Sequence, residues 1–307
     1  MKKKGSAIMP KTWWAGGLLL GFLGAAFIQL VVLPSKKENA KITHIHGLGF
    51  TNDGTQLLIP AHDGIMAYRN DRWNPFEGDK HDYMGFNLVD VGFYSSGHPA
   101  LRSDLVNPLG IVKVTNDGKT IIPLDLQGVR DFHGMAAGYK THAIYVYNPE
   151  ANARLSTSGV YVTLDDAKTW KKSELNGLDG QMTAIAAHPS DPQTVAIGTS
   201  NGVFLSSDYG DQFKKLALEE EVTAVAFGKN GDLFIGGKKL LWQINEEIRS
   251  LITPALDPND FITFIAQNPQ IENEIAFSTS ERNVFLSRDK GISWIKIAVK
   301  GIGIKNK

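Results

Sequence analysis

The 307-residue chain balances 32 basic against 32 acidic side chains, contains no cysteine and is 42% hydrophobic. The even charge gives no reason to expect nucleic acid as a partner. Without cysteine there are no disulfides, thiol nucleophiles or thiolate ligands, so any metal must be held by His, Met, Asp, Glu or backbone oxygen.

Residues 1–12 form a basic segment containing Lys2, Lys3, Lys4 and Lys11, and an apolar run follows from Trp13 to Leu33 with Gln29 its one strongly polar side chain. That run matches the ~20 residues needed to cross a bilayer, with Trp13 and Trp14 at the interfacial level. The lysines should stay in the cytoplasm. The sequence therefore predicts a single-pass signal-anchor over 13–33, a linker over 34–42 and an extracytoplasmic domain from 43 to 300, followed by a short tail over 301–307. A cleaved signal peptide is the alternative, but its apolar core is usually shorter, ~7–15 residues.

From Thr43 onward, short β-rich runs and turn signals recur with a period of about 40 residues, the range of four-stranded propeller blades. The clearest unit runs Met182–Ala187, Thr194–Thr199, Val203–Ser206 and Phe213–Leu218. Counting such units predicts an all-β, six-bladed β-propeller, with seven as runner-up because 71–80 and 248–260 are irregular.

One hairpin motif recurs with these units. Ser206, Asp208, Gly210 and Phe213 form Ser-x-Asp-x-Gly-x-x-aromatic, and Ser287, Asp289, Gly291 and Trp294 repeat it; Thr163, Asp165 and Trp170 keep an eroded copy with Ala167 in the glycine position. Short polar side chains bond the turn's amides and glycine takes positive φ. The pattern resembles the Asp-box, or bacterial neuraminidase repeat, of sialidases, sortilin-type receptors and a photosystem assembly factor. It implies a propeller and leaves function open.

The resemblance also implies that each blade's first strand lies nearest the axis. The loop entering that strand then shares a face with the loop between strands two and three. Aligned on their apolar cores, the six first strands bring His44, Asp82, Asp131, Gln181, Glu221 and Phe261 to one level. Two residues on come His46, Met84, His133, Thr183, Thr223 and Thr263. The same mouth should receive His62, His81 and His98, with Glu221 as a further ligand-binding group. His142 and His188 read as structural residues of the far face. Long loops at 98–109 and 148–158 would roof this mouth.

Imidazole with thioether suits copper, and imidazole with carboxylate suits zinc, nickel or iron. His44, His46, Met84 and His133 are the candidate ligands for a transition metal, copper or zinc. Asp82 and Asp131 are further ligands, orienting groups or, alternatively, the two carboxyls of a glycoside hydrolase. A sialidase is not expected, because the arginines Arg102, Arg130 and Arg154 do not reproduce that family's triad. The runs His44–Leu48, His81–Phe86, Ser96–Pro99, Asn107–Gly110 and Asp131–Gly134 resemble a family of exported bacterial Asp-box proteins commonly labelled glycosylhydrolases. The reading is a membrane-anchored propeller binding a metal ion or small polar ligand at its mouth, for cell-surface binding or assembly. Glycoside hydrolysis and a sortilin-like protein or peptide platform are the alternatives.

Overall fold

The fold is described from a computed structural model covering residues 40–304 except 217, 245 and 246, with the side chains of 241–246 also left aside. The basic segment, the apolar run Trp13–Leu33 and most of the linker lie outside the described residues. The described chain is a β-propeller. Five four-stranded sheets and one five-stranded sheet follow one another in chain order, all antiparallel between sequence neighbours.

The innermost strands are Gly49–Phe50, Asp82–Val89, Met135–Ala137, Met182–Ala187, Ala224–Phe227 and Ile262–Gln267. Each lies against the next around an axis, and Ile262–Gln267 returns to Gly49–Phe50. Blades are numbered here from one to six in that order. The two irregular stretches add no blade, since Arg72–Pro75 is the outer strand of blade one and Glu247–Ser250 that of blade five.

The hydrophobic core is divided among the blade interfaces. Phe93 and Val112 of blade two pack with Leu58 and Ala67 of blade one, and Tyr94 and Ile111 with Ile144 and Val146 of blade three. Ile197 and Phe204 of blade four meet Tyr145 and Val162, while Phe277 and Phe285 of blade six meet Phe234 of blade five. Leu57 and Ile59 meet Ala276 and Leu286, which joins blade one to blade six. Each sheet therefore buries its two faces against two neighbours.

The chain begins its part in the ring before residue 43. Ile42 donates its N–H to Gly301 O at 2.7 Å, Gly303 donates to Ala40 O at 2.8 Å, and Lys41 bridges Ile302. The end assigned above to the linker and the start of the tail thus close blade six, where Ile302–Gly303 is the fifth strand.

The hairpin motif makes the bonds its chemistry requires. Gly210 and Gly291 donate their N–H groups to Ser206 Oγ and Ser287 Oγ at 2.9 and 2.8 Å, and Gln212 and Ser293 donate to Asp208 and Asp289 at 2.9 and 2.8 Å. The eroded copy keeps the pattern, with Ala167 N donating to Thr163 Oγ1 at 3.1 Å. Ala167 accepts a φ of 64°, the left-handed region that Gly210 and Gly291 occupy at 86° and 81°.

Candidate functional site

A cavity of about 1150 Å³ runs along the axis and is lined from every blade. Its walls are mainly small or apolar, including Leu48, Met135, Ala184, Ala224 and Ile265. His46, His133, Gln181, Glu221 and Phe261 line it where the chain enters the innermost strands. This end is the mouth. At the other end Tyr139 OH reaches Asn52 Oδ1 across blade two, and Gln270 Nε2 donates to Asn52 O at 2.8 Å.

The mouth is uneven because neighbouring blades are joined differently. Thr223 Oγ1 donates to Ile262 O of blade six at 2.6 Å and Thr183 Oγ1 makes the same bond to Val222 O of blade five, whereas Thr263 Oγ1 pairs within blade six, with Ser278 Oγ at 3.0 Å. Blades one and three carry His46 and His133 at the corresponding positions. Those imidazoles interact with side chains at the mouth instead.

On the side of blades one and two, three histidines converge. His44 Nδ1 lies 2.5 Å from His62 Nε2, and His46 Nε2 lies 3.4 Å from His62 Nδ1. One ring nitrogen from each falls within 4.8 Å of the others. Asp82, the first residue of blade two's inner strand, accepts from His62 Nδ1 at 2.7 Å and lies 3.5 Å from His46 Nε2. A carboxylate has no proton to give, so His62 carries its hydrogen on Nδ1 and turns its Nε2 lone pair toward His44. Asp82 Oδ1 is buried with no hydrogen-bond partner. Burial pushes His46 below the ordinary histidine range; Asp82 opposes this, and nearby His62, His133 and His44 add to the lowering. It is therefore neutral at pH 7, the form that binds metal.

A related arrangement follows one blade later. Asp131 Oδ2 lies 3.0 Å from His133 Nε2 and 3.4 Å from His98 Nε2, while His98 Nδ1 lies 2.7 Å from Asn107 Oδ1. Burial alone would raise the Asp131 carboxyl, but the His133 hydrogen bond and the neighbouring imidazoles hold it below its usual value.

Three sequence expectations change. Met84 is buried, 6% exposed, and lines no part of the cavity. Met84 pairs in regular register with Ser96 inside its strand, whereas His46 and His133 lie ahead of strands that start at Gly49 and Met135, so strand alternation does not bring the three to one level. His81 is fully buried; its Nδ1 accepts from Ala100 N at 2.9 Å and so fixes the start of the long blade-two loop. His44, His46 and His133 precede the ladder, which starts at Gly49 in blade one and Met135 in blade three. They lie on segments leading into strands, so strand alternation does not govern them.

Glu221 lines the mouth as expected, but no described bond ties it to the histidines. Arg130 pairs with Glu150 and Arg154 with Asp125, which engages two of the three arginines considered for a substrate clamp. Asn107 was not anticipated; only the fold brings it beside His98. The blade-three loop is held by buried Asn148, whose Nδ2 donates to Glu150 O and Thr157 O at 2.7 and 2.9 Å.

No family model matches the sequence, and no curated protein matches it. Solved structures resemble the fold. A gluconolactonase from Xanthomonas campestris aligns with a TM-score of 0.57 at 12% identity, covering 81% of this chain and 87% of that one. A GH74 xyloglucanase from the same organism gives 0.52 at 14% identity, and a GH74 enzyme from Niastella koreensis gives 0.53 at 13%, covering 85% and 84% of this chain. This chain spans about half the length of the GH74 enzymes, 46% of each. At such identities the likeness is one of propeller fold.

Proposed function

We propose that the protein is a membrane-anchored, extracytoplasmic, six-bladed propeller of the Asp-box type that binds a transition-metal ion at its axial mouth, for binding or assembly at the cell surface. The observation that carries this reading is the convergence of His44, His46 and His62 beside Asp82. Neutral imidazoles suit zinc or copper(II), and three protein ligands leave a coordination position open. Asp82 acts from behind His62, directing the Nε2 lone pair by accepting the Nδ1 hydrogen, the usual support for a metal-bound histidine. With Met84 in the core, the set has no thioether and its preference shifts from copper(I) toward zinc or copper(II).

The anchor is proposed from the lysine-flanked apolar run Trp13–Leu33. Protease added to intact cells should degrade the propeller while leaving a membrane-associated amino-terminal fragment.

Glycoside hydrolysis remains the competing chemistry, supported by the carboxylates Asp82 and Asp131 and by fold likeness to GH74 enzymes. A glycosidase acid needs a raised pKa to hold its proton at neutral pH. Asp131, held below its ordinary value, would be the ionised member of such a pair, and no described residue is shown to be the raised acid. Metal binding is the reading we favour, on the convergence of three imidazoles.

Cobalt(II) tests it. Titration of the detergent-solubilised full chain, purified without a His tag, should produce visible absorption that is diminished in His44→Ala/His62→Ala. Equal spectra from the two proteins would remove the proposed site.

A further inference from the structure

We propose a second cation position at the mouth, formed by His98, Asp131 and His133, with Asn107 as its orienting residue. This inference rests on the metal-binding reading of the first position and extends it.

The argument starts from hydrogen accounting. His98 Nδ1 sits 2.7 Å from the Asn107 carbonyl oxygen, which can only accept, so the ring hydrogen is on Nδ1. In the neutral ring, Nε2 then presents a lone pair. What it faces at 3.4 Å is Asp131 Oδ2, another acceptor. Such a contact is satisfied either by a proton on Nε2, which makes an imidazolium–carboxylate pair, or by a metal cation held between the two atoms. The pattern is that of a metal-binding histidine, with one nitrogen fixed by an outer hydrogen bond and the other free toward an anionic ligand.

The comparison with blade one supports this assignment. In the first position the histidine is His62, from the loop between strands two and three of blade one, and the carboxylate is Asp82 at the start of blade two. In the second, His98 ends the second strand of blade two and Asp131 stands just before the inner strand of blade three. The repeat thus twice places a histidine at or just past the end of a second strand against the next blade's leading aspartate. His133 completes the second set from its own blade at 3.0 Å from Asp131 Oδ2, and it is 65% exposed, with room to turn its ring toward an ion.

Charge favours a second ion as well. Asp82, Asp131 and Glu221 supply three carboxylates at or beside the mouth, and one divalent ion would leave a net negative charge there. Imidazole with carboxylate suits zinc and other borderline divalent ions.

The test is zinc stoichiometry of the full chain in detergent, without a His tag, measured by equilibrium dialysis and elemental analysis. Two zinc ions per wild-type chain, reduced to one in His98→Ala/His133→Ala and to one in His44→Ala/His62→Ala, are expected. Asn107→Leu should weaken the second ion about tenfold or more, leaving the first unchanged. One ion in the wild type, lost only in His44→Ala/His62→Ala, would overturn the second position and leave the first standing. No bound zinc in the wild type would overturn both. A second ion retained in His98→Ala/His133→Ala but lost in a His142→Asn/His188→Asn control would place it on the far face and also overturn the proposal.

Discussion

His62 of blade one donates to Asp82 of blade two across 2.7 Å, and one blade later His98 faces Asp131 at 3.4 Å. The first contact fixes a hydrogen and directs a lone pair toward His44. In the second, the ring's other nitrogen is engaged by Asn107 Oδ1 at 2.7 Å. The same structural relationship, a histidine against the next blade's leading aspartate, thus occurs twice within one mouth.

The role assigned to Asp82 is separable from that of Met84. Asp82→Asn should keep the fold but weaken metal binding about tenfold to a hundredfold, because the carboxylate that orients His62 is replaced by an amide. Met84→Leu should leave metal binding unchanged and cost less than about 1.5 kcal/mol, as for other volume-conserving core exchanges. Isothermal titration of both variants checks the pair. Greater loss of affinity in Met84→Leu would return the methionine to the ligand set.

Thr223 occupies in blade five the position that His46 occupies in blade one, yet its hydroxyl is committed to Ile262 O. Thr223→Val should destabilise the propeller by about 1 kcal/mol through loss of that bond and leave metal affinity intact. Denaturant unfolding together with metal titration measures both effects. An affinity change without a stability change would contradict the joining role.

The hairpin turns give a graded stability prediction. A Cβ on Gly210, where φ is 86°, would lie 2.8 Å from Ser173 Oγ and 3.0 Å from Ser173 Cβ; at Gly291 the nearest atom is Leu251 Cδ1 at 3.2 Å, at the end of a flexible side chain. Gly210→Ala should cost roughly 1–3 kcal/mol, with Gly291→Ala toward the low end of that range. Thermal unfolding ranks the two, and the reverse order would show that the Ser173 contact does not set the cost.

Protonation of buried histidines should weaken the metal-free protein in mild acid. Burial lowers His46, His81 and His188 below the ordinary value of 6.5. The folded state therefore binds fewer protons than the unfolded chain. Stability from these groups is present above pH 6.5 and is lost as pH falls through their lowered folded values. Asp165 and Asp289, each held at about 2 by turn hydrogen bonds, do not titrate in that window. Melting temperature should thus be lower at pH 5 than at pH 7.5, and the drop should shrink in His81→Gln. A flat profile would mean that these rings do not couple to folding.

The fold was legible because its signals are local. The Asp208 and Asp289 turns, the apolar runs and the repeat length each specify a hairpin or blade without reference to distant residues. The mouth was legible only in part. His44, His46 and His62 could be assigned to one face, but the partnership of His62 with Asp82 depends on how blade two docks against blade one. Met84 does not share a level with His46 and His133 because its strand begins at Asp82, whereas theirs begin only at Gly49 and Met135, and no sequence period reveals where pairing starts. His81 looked like its exposed neighbours because only the path of the long loop, which carries Ala100 N back to its ring, buries it. Asn107 carried no signal of its own, since an Asn-Pro turn is common and its relation to His98 arises from loop folding.

The measurement that tests the central claim most directly is the metal content of the full chain, purified in detergent without a His tag and exposed to zinc or copper, beside His44→Ala/His62→Ala. Metal near or above one equivalent in the wild type, reduced by a full equivalent in the double variant, is the predicted result. Metal content that is unchanged by the double substitution, or absent from both proteins, would contradict the assignment of the mouth as a metal site.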